Sequence, residues 1–297
     1  MKPKIIFTIV NYNTKGVLDK CLESIRKTQN NHAVFVVDNA SADGSSEMVK
    51  KKYSKANLIQ NKENIGFGKA HNMVLKSQNY DFAVITNSDI IFLDEIEKTI
   101  NFLEENNKIG ACSIKLLNEN NTVQKNVYPI PTLALETMAR LPMAKNPYSG
   151  HAFDYEKTGK VECFNGACFV VRKKAMEEAS FFDEDYFAYA EETDLFLRMQ
   201  RLGWEIYYCP NTKAVHLGGH TTKEKDKRHQ MYFNSLLKFF RKNYGKKKEL
   251  GLRAIAATSS AASLLKCLVL SARDKKKLKE ARFNLGIIKT CLSGVLQ

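Results

Sequence analysis

Short apolar runs and amphipathic helical stretches alternate from the start of this chain, and that alternation restricts its fold more than any other feature. Lys4 to Val10 reads as a strand, followed by the loop Asn11-Tyr12-Asn13-Thr14. Lys15 to Lys27 places Val17, Leu18, Cys21, Leu22 and Ile25 on one face, the period of a helix lying on a core. Ala33 to Val37 is a second strand and Asn57 to Gln60 a short third, and the stretch 64–72 opens another helix. Asp81 to Thr86, short, apolar and bounded by polar residues, is a fourth, buried strand, with a helix expected over Leu93 to Glu105. Such alternation predicts an α/β fold with a mainly parallel open sheet flanked by helices. Ligands in these sheets bind beyond the carboxyl ends of the strands, where Asp38 and Asp89 both fall.

The segments after those strands are polar. Asp38 to Ser46 is rich in side chains that bond locally, and Ser45 or Ser46 is expected to cap the next helix. In Asn87-Ser88-Asp89, oxygens at i and i+2 of an extended segment point to one side, as a hard divalent cation requires. The same three residue types also make turns. Gly66-Phe67-Gly68 invites comparison with a dinucleotide fingerprint, but His71 stands where the third glycine belongs, and the motif does not follow the first strand. What remains is a backbone able to approach a ligand and a helix N-terminus that favours phosphate.

Residues 115 to 160, with prolines at 129, 131, 142 and 147, are expected to form short strands and loops at the rim of a pocket. Val161 to Arg172 returns to strand character around Asn165-Gly166. An acidic, aromatic passage follows from Phe181, and Leu195 to Leu202 continues as a helix stopped by Gly203. Glu191, Asp194 and Arg198 share one face of it; acids stabilise a helix start, yet six carboxylates among aromatics exceed that need. Trp204 to Cys209 is a further strand. His216, between apolar residues and glycines, suits either a satisfied core position or a metal ligand.

A chain of 297 residues, 44% hydrophobic, can bury one large core and an appendage. Its seven cysteines are scattered without a Cys-x-x-Cys pair, which fits a reducing, cytoplasmic setting. The N-terminus shows no signal-peptide design, and no uncharged apolar run approaches the roughly 18 to 20 residues of a membrane span. The net charge of +14 sits entirely in residues 221–297, where 19 Lys and Arg face 5 Asp and Glu; residues 1–220 hold 27 of each sign. In that tail Tyr232, Phe233, Leu236, Leu237 and Phe240 form one apolar stripe, and Leu285, Ile288, Leu292 and Val295 another. Residues 254–265 are uncharged but mostly Ala and Ser, and Lys266 is expected to interrupt them. Basic clusters among apolar stripes suit an anionic membrane surface, or a helical appendage packed on the body or another subunit. No nucleic-acid-binding module is present in the pattern.

The ordered set Val10-Asn11-Tyr12-Asn13, Val37-Asp38-Asn39-Ala40-Ser41-Ala42-Asp43-Gly44-Ser45, Asn64-Ile65-Gly66-Phe67-Gly68, Asn87-Ser88-Asp89, Gly166-Ala167-Cys168-Phe169, Tyr189-Ala190-Glu191-Glu192-Thr193-Asp194 and His216-Leu217-Gly218-Gly219-His220 resembles the family-two inverting glycosyltransferases with the GT-A fold, in particular their rhamnosyltransferase-like branch. The resemblance covers roughly residues 4 to 245. It implies a catalytic domain over 1–220, with a nucleotide-binding half to about 110 and an acceptor half to 220, then a basic helical region over 221–297. Asp38 would recognise the nucleotide base, and Asn11, Asn13, Asn39, Ser41, Asn64, Gly66, Phe67, Gly68, Asn87 and Ser88 would line the nucleotide sugar. Asp89 would bind Mg²⁺ or Mn²⁺, and His216 would complete that site. The family's base lies in a Glu-Asp or Asp-Asp pair; here the pair is Glu191-Glu192, with Glu192 in the base position and Asp194 beside it.

By the same resemblance the donor is dTDP-rhamnose, with UDP-hexose or UDP-N-acetylhexosamine as alternatives. The acceptor is a growing surface polysaccharide on polyprenyl diphosphate, which implies an enzyme peripheral on the inner membrane face; a homodimer is left open. A sugar-1-phosphate nucleotidyltransferase would need a glycine-rich loop where Asn11-Tyr12-Asn13-Thr14 stands. A non-catalytic nucleotide-sugar-binding subunit is the other alternative, and the presence together of Asp89, Glu191-Glu192 and His216 argues against it.

Overall fold

The computed structural model describes residues 2–29, 32–141, 144–150, 153–218, 225–271 and 276–293. They form two compact units. The first comprises Met1–Ile130, Ser149–Phe187 and Glu191–Lys223; the second comprises Pro131–Tyr148, Ala188–Ala190 and Glu224–Gln297.

The first unit opens with β1 (Ile5–Asn11), α1 (Lys15–Thr28), β2 (Ala33–Asp38), α2 (Ser45–Lys52), β3 (Asn57–Gln60), α3 (Phe67–Leu75) and β4 (Phe82–Asn87). β1 pairs in parallel with β2 on one side and β4 on the other, and all but its Val10 are buried. Helix α1 buries Leu18, Cys21, Leu22 and Ile25, the face its apolar spacing predicts. Helix α2 begins at Ser45 as expected, but neither Ser45 nor Ser46 caps it: the Asp43 carboxylate accepts from the Ser45 amide at 3.1 Å and its hydroxyl at 2.5 Å.

β5 (Ile90–Phe92) follows and pairs with a distant strand, and the helix expected from Leu93 starts four residues later, as α4 (Glu97–Glu105). Then come β6 (Ile109–Leu117), β7 (Val127–Tyr128), α5 (Leu133–Arg140) in the second unit, β8 (Gly159–Lys160), β9 (Cys163–Phe164), β10 (Cys168–Arg172), α6 (Lys173–Glu178), α7 (Glu191–Arg201) and β11 (Glu205–His216). Residues 115–160 therefore contain a full helix as well as short strands and loops. Pro131 precedes it and the Thr132 hydroxyl caps it, accepting from the Leu135 amide at 3.3 Å. Of the acidic passage, Glu191, Glu192 and Asp194 form the first turn of α7, whereas Asp183, Glu184 and Asp185 precede it.

The sheet has nine strands in the order β3-β2-β1-β4-β10-β6-β11-β5, with β8 beside β11. Six run in parallel, whereas β10 is antiparallel to both β4 and β6, and β5 and β8 are antiparallel to β11. Its central strands are apolar on both faces, as a sheet covered by helices requires.

In the second unit α5 is joined by α8 (Lys225–Tyr244), α9 (Lys246–Ser271) and α10 (Lys276–Leu292). Phe233, Leu236, Leu237 and Phe240 of the expected stripe are buried, as is Phe239. In α10 the inward positions are Ala281, Ile287 and Cys291, whereas Leu285 and Leu292 are exposed and Val295 lies outside the described residues. Arg253 and Glu249 form a buried pair at 2.7 Å, and Arg253 also donates to the Thr290 carbonyl at 2.7 Å near the end of α10. Lys266 does not interrupt α9, because a lysine stem can lie along a helix with its head in water. Residues Lys246–Val269 are long and apolar enough to cross a bilayer by length and composition alone.

Candidate active site

At the carboxyl ends of β1, β2 and β4 the polar residues form one connected network. Asp38 is buried; its Oδ1 accepts from Asn11 Nδ2 at 2.7 Å and Ser41 Oγ at 2.6 Å, and its Oδ2 from the Ser41 amide at 3.1 Å and Ser46 Oγ at 2.9 Å. A carboxylate has about four such acceptor positions, so Asp38 is fully occupied in fixing the loop. Thr14 Oγ1 donates to Asn11 Oδ1 at 2.6 Å, which leaves Ser88 Oγ as donor in its 2.8 Å contact with Thr14. A continuous chain thus links Ser88 to Asp38. Asn13 receives the Ala42 amide on its side chain at 2.8 Å, and its own amide donates to Ser41 Oγ at 2.9 Å.

Asn39 Nδ2 reaches Asn64 Oδ1 at 3.2 Å and the Gly66 carbonyl at 3.1 Å, and Asn64 Oδ1 accepts the Gly66 amide at 3.0 Å. Gly66 has φ +87°, and a Cβ there would lie 2.3 Å from the Phe187 carbonyl oxygen. One at Gly68 would meet Phe182 Cβ at 2.9 Å. The chain that approaches these glycines is the acidic passage itself, and the Phe67 amide donates to Phe187 at 3.0 Å. Beneath them His71, fully buried, pairs its Nδ1 with Thr8 Oγ1 at 3.0 Å, and burial lowers its pKa to about 3.

Asp89 and His216 meet where β5 pairs with β11. His216 Nε2 is 3.3 Å from Asp89 Oδ1, yet that oxygen, buried, accepts no hydrogen bond. His216 Nδ1 lies 2.7 Å from Gln124 Oε1, so in the neutral ring the amide oxygen takes the Nδ1 proton and the Nε2 lone pair faces the carboxylate. Among the described residues no three His, Cys, Asp or Glu side chains gather as a self-sufficient metal centre. Two electron-rich atoms facing each other instead suit a cation whose remaining ligands come from phosphate and water. The residues therefore fit Mg²⁺ or Mn²⁺. Asn87 is half-buried, and its amide donates to the Ala167 carbonyl at 2.8 Å. Gly219 and His220 lie outside the described residues.

The loop 165–167 has two neighbours. On one side Ala167 holds Asn87; on the other a Cβ at Gly166 would sit 3.5 Å from Glu192 Cβ. Glu192 Oε1 accepts from the Tyr128 hydroxyl at 3.0 Å. Glu191 is buried and its Oε2 has no hydrogen-bond partner. Burial raises the pKa of both acids, that of Glu191 well above the usual range with the Glu192 charge adding to it. Asp194 does not join them: fully buried, it receives Arg198 Nε at 2.8 Å, and the same guanidinium donates to the Ala179 and Phe181 carbonyls. Gln124 and Tyr128, which orient the histidine and the glutamate, carry no motif and stand out only once the chain is folded.

This sheet, with its ligand edge assembled from β1, β2, β4 and the loop before β10, is that of the GT-A glycosyltransferases. The mannosyltransferase PcManGT from Pyrobaculum calidifontis, solved with GDP-Man and Mn²⁺, matches 99% of this chain and 89% of its own at a TM-score of 0.60 and 15% identity. S. aureus TarS 1–349 in complex with UDP matches 98% of this chain and 92% of its own, at a TM-score of 0.52 and 18% identity. The pattern of glycosyl transferase family 2 matches residues 7–179, more than half of the chain, which therefore belongs to that family and is a glycosyltransferase. In sequence the chain is 24% identical over 233 residues to the N-acetylglucosaminyl-diphospho-decaprenol L-rhamnosyltransferase of Mycobacterium tuberculosis (strain ATCC 25618 / H37Rv), covering 72% of this chain and 76% of the relative. The expected family and GT-A fold are borne out.

Proposed function

We propose that this glycosyltransferase inverts the anomeric carbon of a nucleotide-activated sugar, rhamnose from dTDP-rhamnose, as it transfers it to a saccharide acceptor on polyprenyl diphosphate. The observation that carries the proposal is the loop 165–167, which touches the Asn87-Ser88-Asp89 strand end on one side and Glu192 on the other. Glu192 takes the proton of the acceptor hydroxyl as its oxygen bonds to the anomeric carbon, and the bond from that carbon to the diphosphate oxygen breaks on the opposite face. Such proton removal is worth about 10²–10⁴ in rate. The raised pKa of Glu192 brings it nearer to neutrality, where a general base is most effective. Burial and the Glu192 charge raise the pKa of Glu191 well above the usual range, which favours Glu192 as the charged member of the pair.

Asp89 and His216 would hold the divalent ion, which when bound neutralises charge growing on the departing phosphate oxygens. The Asn11–Asp38–Ser41 network and the Asn39–Asn64 pair shape the nucleotide side, with Asn13 and the Gly66-Phe67-Gly68 turn at its border. Filled as it is, Asp38 acts on the base through the loop it fixes. The name of the mycobacterial relative supports a rhamnosyl donor and a lipid-linked acceptor. An inner-membrane location is supported by the +14 tail and by Leu265, Leu268, Val269 and Leu292, all exposed.

Glu192→Gln is expected to abolish transfer while sparing donor binding; wild-type turnover in that variant removes Glu192 from the mechanism. A thermal-shift panel of dTDP-rhamnose, UDP-hexoses and UDP-N-acetylhexosamines, with and without Mn²⁺, tests the donor. The true donor at 100 times its Kd stabilises by about 2.7 kcal/mol. Flotation with anionic vesicles but not zwitterionic ones is expected of the full chain, and equal binding to both overturns the charge argument.

A further inference from the structure

Tyr189 and Ala190, the two residues immediately ahead of α7, have φ +69° and +65°. Neither is glycine, and consecutive residues bearing a Cβ adopt this left-handed conformation only where their surroundings hold them. The turn is needed here. It carries the chain from Phe187, tied by its carbonyl to the Phe67 amide, directly into the helical turn bearing Glu191 and Glu192.

The restraint comes from α8. Ala188–Ala190 belong to the second unit, where the Ala188 carbonyl accepts from Ser235 Oγ at 2.7 Å and the Tyr189 ring meets that of Tyr232 edge-on at 6.3 Å. Tyr232 and Ser235 are three residues apart, so they project from one face of α8. Ser235 is buried, and its hydroxyl reaches out to Ala188. Both residues lie beyond the stretch 7–179 that matches the family pattern.

We infer that Ser235 and Tyr232 are positioning residues for the reaction: by holding Ala188 and Tyr189, and with them the left-handed turn at Tyr189 and Ala190, they aim the carboxylates of Glu191 and Glu192. The inference rests on Glu192 as the base. It makes the C-terminal helices part of catalysis as well as of attachment, because the peptide they grip continues into the helix that delivers the proton acceptor.

The test compares kcat, donor KM and the pH dependence of kcat in the full chain for wild type, Ser235→Ala, Ser235→Thr, Tyr232→Leu and Glu192→Gln. Misplacement of a reacting group by about 1 Å can cost on the order of a hundredfold. Ser235→Ala and Tyr232→Leu are therefore expected to lower kcat about ten- to a hundredfold, leave donor KM within about twofold, and displace the acidic limb of the pH profile. Ser235→Thr, which keeps the hydroxyl, restores both kcat and profile. Tyr232 is 40% exposed, so its replacement by Leu keeps the chain folded should Ser235→Ala fail to fold. Wild-type kcat in the Ser235 and Tyr232 variants with Glu192→Gln inactive overturns the positioning role alone. Activity retained in Glu192→Gln overturns the base assignment beneath it. A loss of kcat with an unmoved pH profile and no rescue by Thr marks a merely structural contact and overturns the inference.

Discussion

Nε2 of His216 stands 3.3 Å from Oδ1 of Asp89 with no hydrogen bond between them, while Gln124 Oε1 lies 2.7 Å from the other ring nitrogen. Outer partners of this type tune metal affinity by about 10–100-fold. Gln124→Ala is accordingly expected to weaken Mn²⁺-dependent donor binding by that factor, and His216→Ala by more. Calorimetric titration of donor with and without Mn²⁺ measures both. An unchanged Mn²⁺ dependence in His216→Ala removes the histidine from the metal site.

Glu191 has its pKa raised by burial from the usual 4.5, so above that pH the folded chain binds a proton that the unfolded chain has lost. The slope of stability with pH is then negative, and the acid costs stability as pH rises. Glu191→Gln keeps the neutral shape without that cost. Its unfolding midpoint should exceed that of wild type by a margin that widens as pH rises above 4.5. A constant margin would mean Glu191 is already charged in the fold.

For His71 the sign is opposite. Burial lowers its pKa from 6.5 to about 3, so between those values the unfolded chain holds the extra proton and stability falls as pH falls. His71→Phe, still packed between Phe67 and Phe182, is expected to show a shallower loss of thermal midpoint between about pH 6.5 and about pH 4.5. Equal slopes for the two proteins would assign the acid lability to other groups.

Gly66→Ala brings two penalties together: a Cβ 2.3 Å from the Phe187 carbonyl oxygen and a φ of +87°. A Gly-to-Ala change at positive φ destabilises by more than about 1 kcal/mol even without a clash. Both a lower denaturation midpoint and a lower kcat are expected, since Phe187 leads into the turn ahead of the glutamates. Gly16→Ala, where a Cβ meets nothing within 4 Å, serves as the neutral control.

Where the period of apolar residues is set locally, the sequence predicts the fold closely: β3 spans Asn57–Gln60, and α1 buries the face marked by Leu18, Cys21, Leu22 and Ile25. Elements defined by distant partners are not legible in that way. β5 exists because Ile90, Ile91 and Phe92 pair with His216, Val215 and Ala214 far along the chain. Helix α5 did carry a local signal, Thr132 as cap just after Pro131, which the surrounding prolines obscure. In the site, motif residues such as Asp89 and Glu192 are visible as a pattern. Their orienting partners, Gln124 and Tyr128, are single unremarkable residues whose roles arise only from folding. Asp194 shows the reverse: an acid in the motif that is held by the Arg198 guanidinium of its own helix.

Because β10 runs against β4 and β6, the excursion that leaves the sheet after Leu117 returns at Cys168 on the same rim. A departure and a return on one side form a closed loop that never threads the sheet. Apart from β8, Gln124, Tyr128 and the loop 165–167, that excursion can then change length without altering any strand's direction. A rim built in this way can be remodelled while the strands that end at Asn11, Asp38 and Asn87 stay as they are.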